Sequence, residues 1–211
     1  MNTKLKIALQ IVLAAVAVIL AFAIYKSIMQ PVRFNKEKNQ RAQIVVQRLK
    51  DIRTVEEAFK KANNRFIGDI DSLVDFLQNG ELPYTKMIGN VPDSLTEEEA
   101  VKKGIVSREI FKEKAYEVLF PNHPDKEKHL ANLAYVPFTE KTKKIHLEAG
   151  FVSKSGFQVP VFEATVPFEE FLIGMNDQDI QNLNSKSNDM NRYPGIKVGS
   201  MNEAITEGNW E

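Results

Sequence analysis

Histidine is the first place to look for chemistry, because imidazole is the commonest metal ligand and the usual general base near neutral pH. His123 and His129 stand six apart in a polar, proline-containing stretch, and His146 falls on the polar side of an alternating segment. No i, i+4 histidine pair and no His-carboxylate metal spacing occurs, so the sequence predicts three solvated histidines without a ligating or catalytic role. Glu97, Glu98 and Glu99 form a carboxylate run, but they follow Pro92-Asp93-Ser94-Leu95-Thr96 and open an expected helix, whose dipole they complement. An oxygen-rich stretch contains Asn176, Asp177, Asp179, Asn188 and Asp189. Calcium requires about six to eight oxygens and the spacing fits no EF-hand, so 176–191 reads as a polar loop or frayed helix.

Signatures of other chemistry are missing. There is no Walker sequence, GxGxxG, GxSxG or HExxH, and with no cysteine the chain has no thiolate nucleophile, disulfide or Cys-bound metal. Balanced charge, 28 basic against 28 acidic residues, argues against nucleic acid as a partner. The expectation is a protein without cofactor that is not an enzyme.

The element that must position everything else is Ile7 to Tyr25, an apolar run without charge, Pro or Gly. As a helix it is about 28 Å long, the thickness of a bilayer core. A cleaved signal peptide is the competing reading; the bulky Phe22, Ile24 and Tyr25 before Lys26 argue for an uncleaved anchor instead. Counting Lys4 and Lys6 against Lys26, Arg33, Lys36, Lys38 and Arg41 puts the long domain inside, whereas a short tail before the span is the form of a signal anchor that exports the domain behind it. The exported orientation is preferred. Gln10, Ala14, Ala17 and Ala21 are the candidates for contact with a partner helix, the alanines by close approach and Gln10 by hydrogen bonding; lipid exposure is the alternative.

Beyond the span, Pro31 is expected to kink or interrupt the helix. A second helical pattern carries Ala42, Val45, Leu49, Ile52, Val55, Phe59, Ala62 and Phe66 on one stripe, with Arg41, Lys50, Arg53, Glu57 and Lys60 around the rest. Val45, Leu49, Ile52 and Phe59 are interaction candidates, with packing on a sheet the preferred role. Asp69 or Asp71 caps a short helix with Gly80 as its left-handed terminator, and Ser94/Glu97 and Thr96/Glu99 have capping-box spacing ahead of Gly104. Strands are expected at 133–138, 144–152 and 159–166, with a hairpin at Lys154-Ser155-Gly156, forming an antiparallel sheet of about four strands. Residues 110–120 read as strand or helix, 168–173 as a strand extending past Pro167, and Tyr193-Pro194-Gly195 as a turn.

Membrane helix, amphipathic helix, short capped segment and antiparallel sheet, in that order, resemble type IV pilins and the pseudopilins of type II secretion. Residues 50–59, then Asn64-Arg65-Phe66-Ile67-Gly68 and Ser72-Leu73, are similar to the region where the pseudopilin helix ends. The prepilin-peptidase pattern of a Gly, an aromatic and a Glu is not matched: Lys6-Ile7 lacks the Gly and the span has no Glu. Pro31-Val32-Arg33-Phe34-Asn35, Leu49-Lys50-Asp51-Ile52-Arg53, residues 93–100, Tyr193-Pro194-Gly195-Ile196-Lys197-Val198-Gly199-Ser200 and Gly208-Asn209-Trp210-Glu211 resemble an uncharacterised family of single-pass envelope proteins of the Bacteroidota. That resemblance implies the inner membrane, a periplasmic domain and no known activity.

The expected fold is therefore α+β and pilin-like, with a tail and anchor at 1–30, an amphipathic helix at 31–68 and an α+β domain at 69–211 joined to that helix as one unit. The expected role is a periplasmic structural or scaffolding subunit of a multiprotein envelope machine for secretion, transport or energy transduction. Its partners would be the bilayer and other inner-membrane or periplasmic proteins, including copies of itself. A fibre-forming pseudopilin-like subunit and a periplasmic ligand-binding domain are the alternatives.

Overall fold

The computed structural model describes residues 3–89, 96–103 and 105–211. The Ser94 cap and the Gly104 terminator expected from the sequence lie outside the described residues. The fold is α+β and its axis is one helix, α1 (Thr3–Asn63), which carries both the apolar run and the amphipathic stripe.

Pro31 lies inside α1 without interrupting it, so of the two expected effects, kink or interruption, the interruption does not occur. A helix-interior proline removes one backbone hydrogen bond and costs about 3 kcal/mol. With 61 residues in the element, a single such loss leaves long helical segments on both sides to hold the axis.

The stripe packs as its period dictates. Val45, Leu49, Ile52 and Val55 are fully buried and share one core with Leu73 and Leu77, and with Phe162, Ala164, Val166 and Val198 of the second sheet. Burial of each large aliphatic side chain is worth roughly 1.5–3 kcal/mol, so these four alone account for much of the attachment of α1. Ala62 departs from the pattern and is exposed, because the helix unwinds at Asn64 (φ 55°). Phe66 re-enters the core from the loop, its ring 4.7 Å from that of Phe162.

Asp69 caps α2 (Ile70–Asn79), accepting from the Ser72 N–H at 2.8 Å. Gly80 ends it with φ −70° and ψ 159°, extended rather than left-handed. Glycine is needed there for room: a Cβ would overlap the Phe76 carbonyl and ring.

β1 (Glu81–Ile88) follows, then α3 (Glu97–Lys102) and β2 (Ser107–Lys114), and β1 pairs antiparallel with β2 from Glu81↔Lys114 to Ile88↔Ser107. The Thr96–Glu99 capping box forms, with the Thr96 N–H donating to Glu99 at 3.1 Å and the Glu99 N–H returning to Thr96 Oγ1 at 3.4 Å. The ambiguous stretch 110–120 divides between the end of β2 and α4 (Ala115–Leu119).

Residues 133–138 do not form the expected strand. Asp125 caps α5 (Lys126–Leu133), and positive φ at Phe138, Glu140 and Lys141 then folds the chain into a turn that leaves only a Tyr135↔Lys144 bridge. β3 (His146–Lys154) and β4 (Phe157–Pro167) form the expected hairpin over Ser155-Gly156, whose φ values of 53° and 85° match a two-residue primed turn.

Pro167 stops the strand instead of extending it. Its fixed φ opens α6 (Phe168–Phe171), while the Phe168 N–H donates to the Pro194 carbonyl at 3.0 Å. Residues 176–191 are helical: α7 (Asp177–Asp189) is capped by Asn176, which accepts from the Asp179 N–H at 3.0 Å, and Ile180 is buried. β5 (Gly195–Gly199) completes a sheet ordered β3-β4-β5, so two small antiparallel sheets replace the single four-stranded one expected.

Candidate functional site

The residues from Leu9 to Tyr25 contribute nothing to the core. An 18-residue window of this helix, near its N-terminus, has mean hydropathy 2.4 and none of it is buried; Ile19 is 66% exposed and Phe22 69%. In water this surface would cost on the order of 20 kcal/mol, taking roughly 1.5–3 kcal/mol for each large side chain. Gln10, Ala14, Ala17 and Ala21 are all exposed, and spacings of four, three and four place them on one face of the helix.

Val45, Leu49 and Ile52 stand in the opposite situation. They are fully buried, and Phe59 is half-buried with its ring edge against Phe76 at 4.9 Å, so this face of α1 is occupied by the domain's own core.

Three arginines tie α1 to the rest of the fold. Arg41 Nη1 donates to the carbonyls of Phe171 (3.2 Å) and Ile173 (2.9 Å), while Nη2 meets Glu37 at 2.7 Å. Arg48 Nη1 donates to the carbonyls of Asn132 and Tyr135, both at 2.7 Å; burial lowers its pKa and Asp51 opposes the shift. Arg53 Nη1 donates to the Thr206 carbonyl at 3.3 Å and to Glu211 at 2.9 Å. Sequence periodicity put Arg41 and Arg53 on a solvated face; only the choice of Arg, whose planar fork serves carbonyls better than Lys does, hinted at these roles.

The histidines differ from expectation in one case. His129 is not solvated: its side chain is 8% exposed, with Nδ1 3.1 Å from the Tyr116 hydroxyl and Nε2 3.3 Å from Asp51 Oδ2. The Asp51 contact has ion-pair distance without hydrogen-bond alignment. His123 stacks on His129 at 4.2 Å and 12° between planes. Burial, followed by Glu117, Asp125 and Asp51, raises the Tyr116 pKa. The group links α1, α4 and α5 and borders a 660 Å³ cleft between α1 and α5. Tyr116 is nearly fully buried, so the Tyr116 end of the Asp51-His129-Tyr116 series lies inside the protein, while Asp51 and His129 line the cleft. His146, by contrast, is well exposed beside Glu148 at 2.7 Å.

Glu56 is a second group that sequence reasoning missed, being one polar residue beside the buried stripe. It is fully buried, and Oε2 accepts from the Ile67 N–H at 2.9 Å, while Oε1 has no hydrogen-bond partner among the described residues. Burial pushes its carboxyl up to about 8, against the lowering effect of the Ile67 bond. The group closes the turn after α1.

Comparison with protein-family models, curated proteins and solved structures finds no match for this chain.

Among the described residues no group of three or more His, Asp or Glu gathers as a metal-binding cluster. Asn176 and Asp189 cap and end a 13-residue helix, which separates them by roughly 20 Å. Those oxygens therefore do not converge on one ion.

Proposed function

We propose that this protein is a membrane-anchored, non-enzymatic structural subunit of a multiprotein cell-envelope assembly, with its α+β domain held in the periplasm. One observation carries the reading: the exposed apolar segment and the domain's central helix are a single uninterrupted element, α1. A flexible tether would only localise the domain. A continuous helix, fixed to the domain by Arg41, Arg48 and Arg53, also sets its orientation and its height above the bilayer.

Positioning of this kind suits a scaffold. Partner contact would involve the Gln10-Ala14-Ala17-Ala21 face within the bilayer. The direction of insertion follows the short-tailed signal-anchor form, with the domain exported and the single pass lying in the bacterial inner membrane.

The same continuous helix supports a second reading, a pseudopilin-like subunit that stacks with copies of itself along α1. Purification of the full-length tagged protein from native membranes in mild detergent, with mass spectrometry and native sizing, separates the two. Stoichiometric foreign subunits are expected for the scaffold. A ladder of self-oligomers with no foreign subunit would replace it with the fibre, and a bare monomer would contradict both.

A further inference from the structure

We infer that the notch between the end of the span and the α6–α7 connection holds a membrane phospholipid, so that the lower edge of the domain sits within the lipid–water interface. The inference rests on α1 anchoring the protein in a bilayer, and it adds a specific lipid-binding surface to that anchor.

Phe22, Tyr25 and Met29 recur at three- and four-residue spacing and carry the apolar face of the span onward beneath the domain. Gly174 and Met175 stand across from them, and the space between measures about 540 Å³, open to the side. Ile173 beside it is 54% exposed, although its carbonyl is pinned by Arg41 at 2.9 Å. An apolar side chain held in the open at this height is covered once it meets lipid.

Charge selects the headgroup. Lys26 and Arg33 border the notch, and among the described residues neither forms an ion pair. Of the acidic groups at the same rim, Glu37 pairs with Arg41 at 2.7 Å, and Asp179 accepts from Gln30 Nε2 of the same notch at 3.2 Å, so two cations face one unpaired carboxylate. Along the helix axis Lys26 lies about 1.5 Å and Arg33 about 12 Å beyond Tyr25. The polar layer of a leaflet is roughly 5–7 Å thick, so both long side chains reach a lipid phosphate. Apolar floor and cationic rim together match an acyl chain continuing into a phosphate, a combination that a soluble anion does not supply.

The absence of cysteine makes single-site labelling clean. The full-length protein is placed in nanodiscs of phosphatidylethanolamine with a minority of phosphatidylglycerol, carrying an environment-sensitive fluorophore at Ile173→Cys, Ala14→Cys or Phe157→Cys. Phe157 is 75% exposed on the hairpin whose Ala149 backbone adjoins Gly68, at the end of α1 remote from the span, and serves as the aqueous reference. The Ile173 probe is expected to be blue-shifted and quenched at least about twofold more than the Phe157 probe by spin labels on the headgroup and high on the acyl chain. In the Lys26→Glu/Arg33→Glu background, that excess should fall while quenching of the Ala14 probe by a deep label persists. Equal quenching at Ile173 and Phe157, with Ala14 strongly quenched, would overturn the lipid site and leave the anchor standing. An unquenched Ala14 probe would overturn the anchor and the lipid site together.

Discussion

The two halves of α1 are equally helical and both carry large aliphatic side chains, more densely in the N-terminal half, yet they make opposite use of them. In the N-terminal half Leu13, Ile19 and Phe22 are 60–69% exposed, whereas in the C-terminal half Val45, Leu49, Ile52 and Val55 are completely buried. The difference lies in periodicity. Around residues 7–25 apolar side chains cover every face, a pattern that suits a membrane span; around 42–59 they form one stripe, which a protein core satisfies. On the proposed reading one helix records two solvents, and the change occurs across the Lys26 to Phe34 stretch that includes Pro31.

The sharpest way to break this comparison is the same truncation in each half. Leu49→Ala should destabilise the domain by about 2–5 kcal/mol through the cavity it leaves, while Leu13→Ala should leave thermal unfolding of the detergent-solubilised full chain almost unchanged. Equal losses would mean that the N-terminal half packs against protein. Next in size is a charge placed mid-span: Val16→Arg should cost about 2.5–3.5 kcal/mol of insertion free energy and lower the membrane-bound fraction in a flotation assay, with the domain's melting temperature preserved.

Glu56 sharpens the comparison at the far end of the helix. Its carboxyl titrates near 8 in the folded protein against an ordinary value of 4.5, so the fold favours the protonated form. Its contribution to stability is fullest below the ordinary carboxylate range and is lost as pH rises toward 8. Glu56→Gln should therefore flatten stability between those limits and raise it by about 1–3 kcal/mol at pH 8, read from melting curves across pH. A wild-type domain more stable at pH 8 than at pH 5 through Glu56 would reverse the sign and refute a neutral buried carboxyl. The smallest effect is at Gly80, where Gly80→Ala should cost about 1–2 kcal/mol because its Cβ must displace the Phe76 carbonyl or ring. Chemical denaturation of the two proteins checks it.

What could be read from the sequence is what local chemistry controls. The long apolar helix, the stripe, the Asp69 cap, the Thr96–Glu99 box and the Ser155-Gly156 turn each depend on a few neighbouring residues, and each was legible. Where distant parts of the chain decide, reading failed. Residues 177–189, with little apolar character, read only as loop or frayed helix, and the Asn176 cap with one buried side chain, Ile180, decides for the helix. Leu133 to Phe138 has strand-like residues, but the Asp125 cap draws Leu133 into α5 and left-handed turns follow. His129 resembles a surface residue until Asp51, from a helix nearly eighty positions earlier, lies beside it. The arginine ties to backbone carbonyls leave no pattern at all, since their acceptors are identical along the chain.

The most direct test of the central claim is alkaline carbonate extraction of native membranes, with the amino terminus of the recovered full-length protein sequenced. A helix that spans the bilayer keeps the protein in the membrane pellet with residues 7–25 intact, and that is the expected result. Release into the soluble fraction, or a mature terminus beginning after Ala21-Phe22-Ala23, would show that the first half of α1 is a transient targeting segment, and the two-solvent helix would be contradicted.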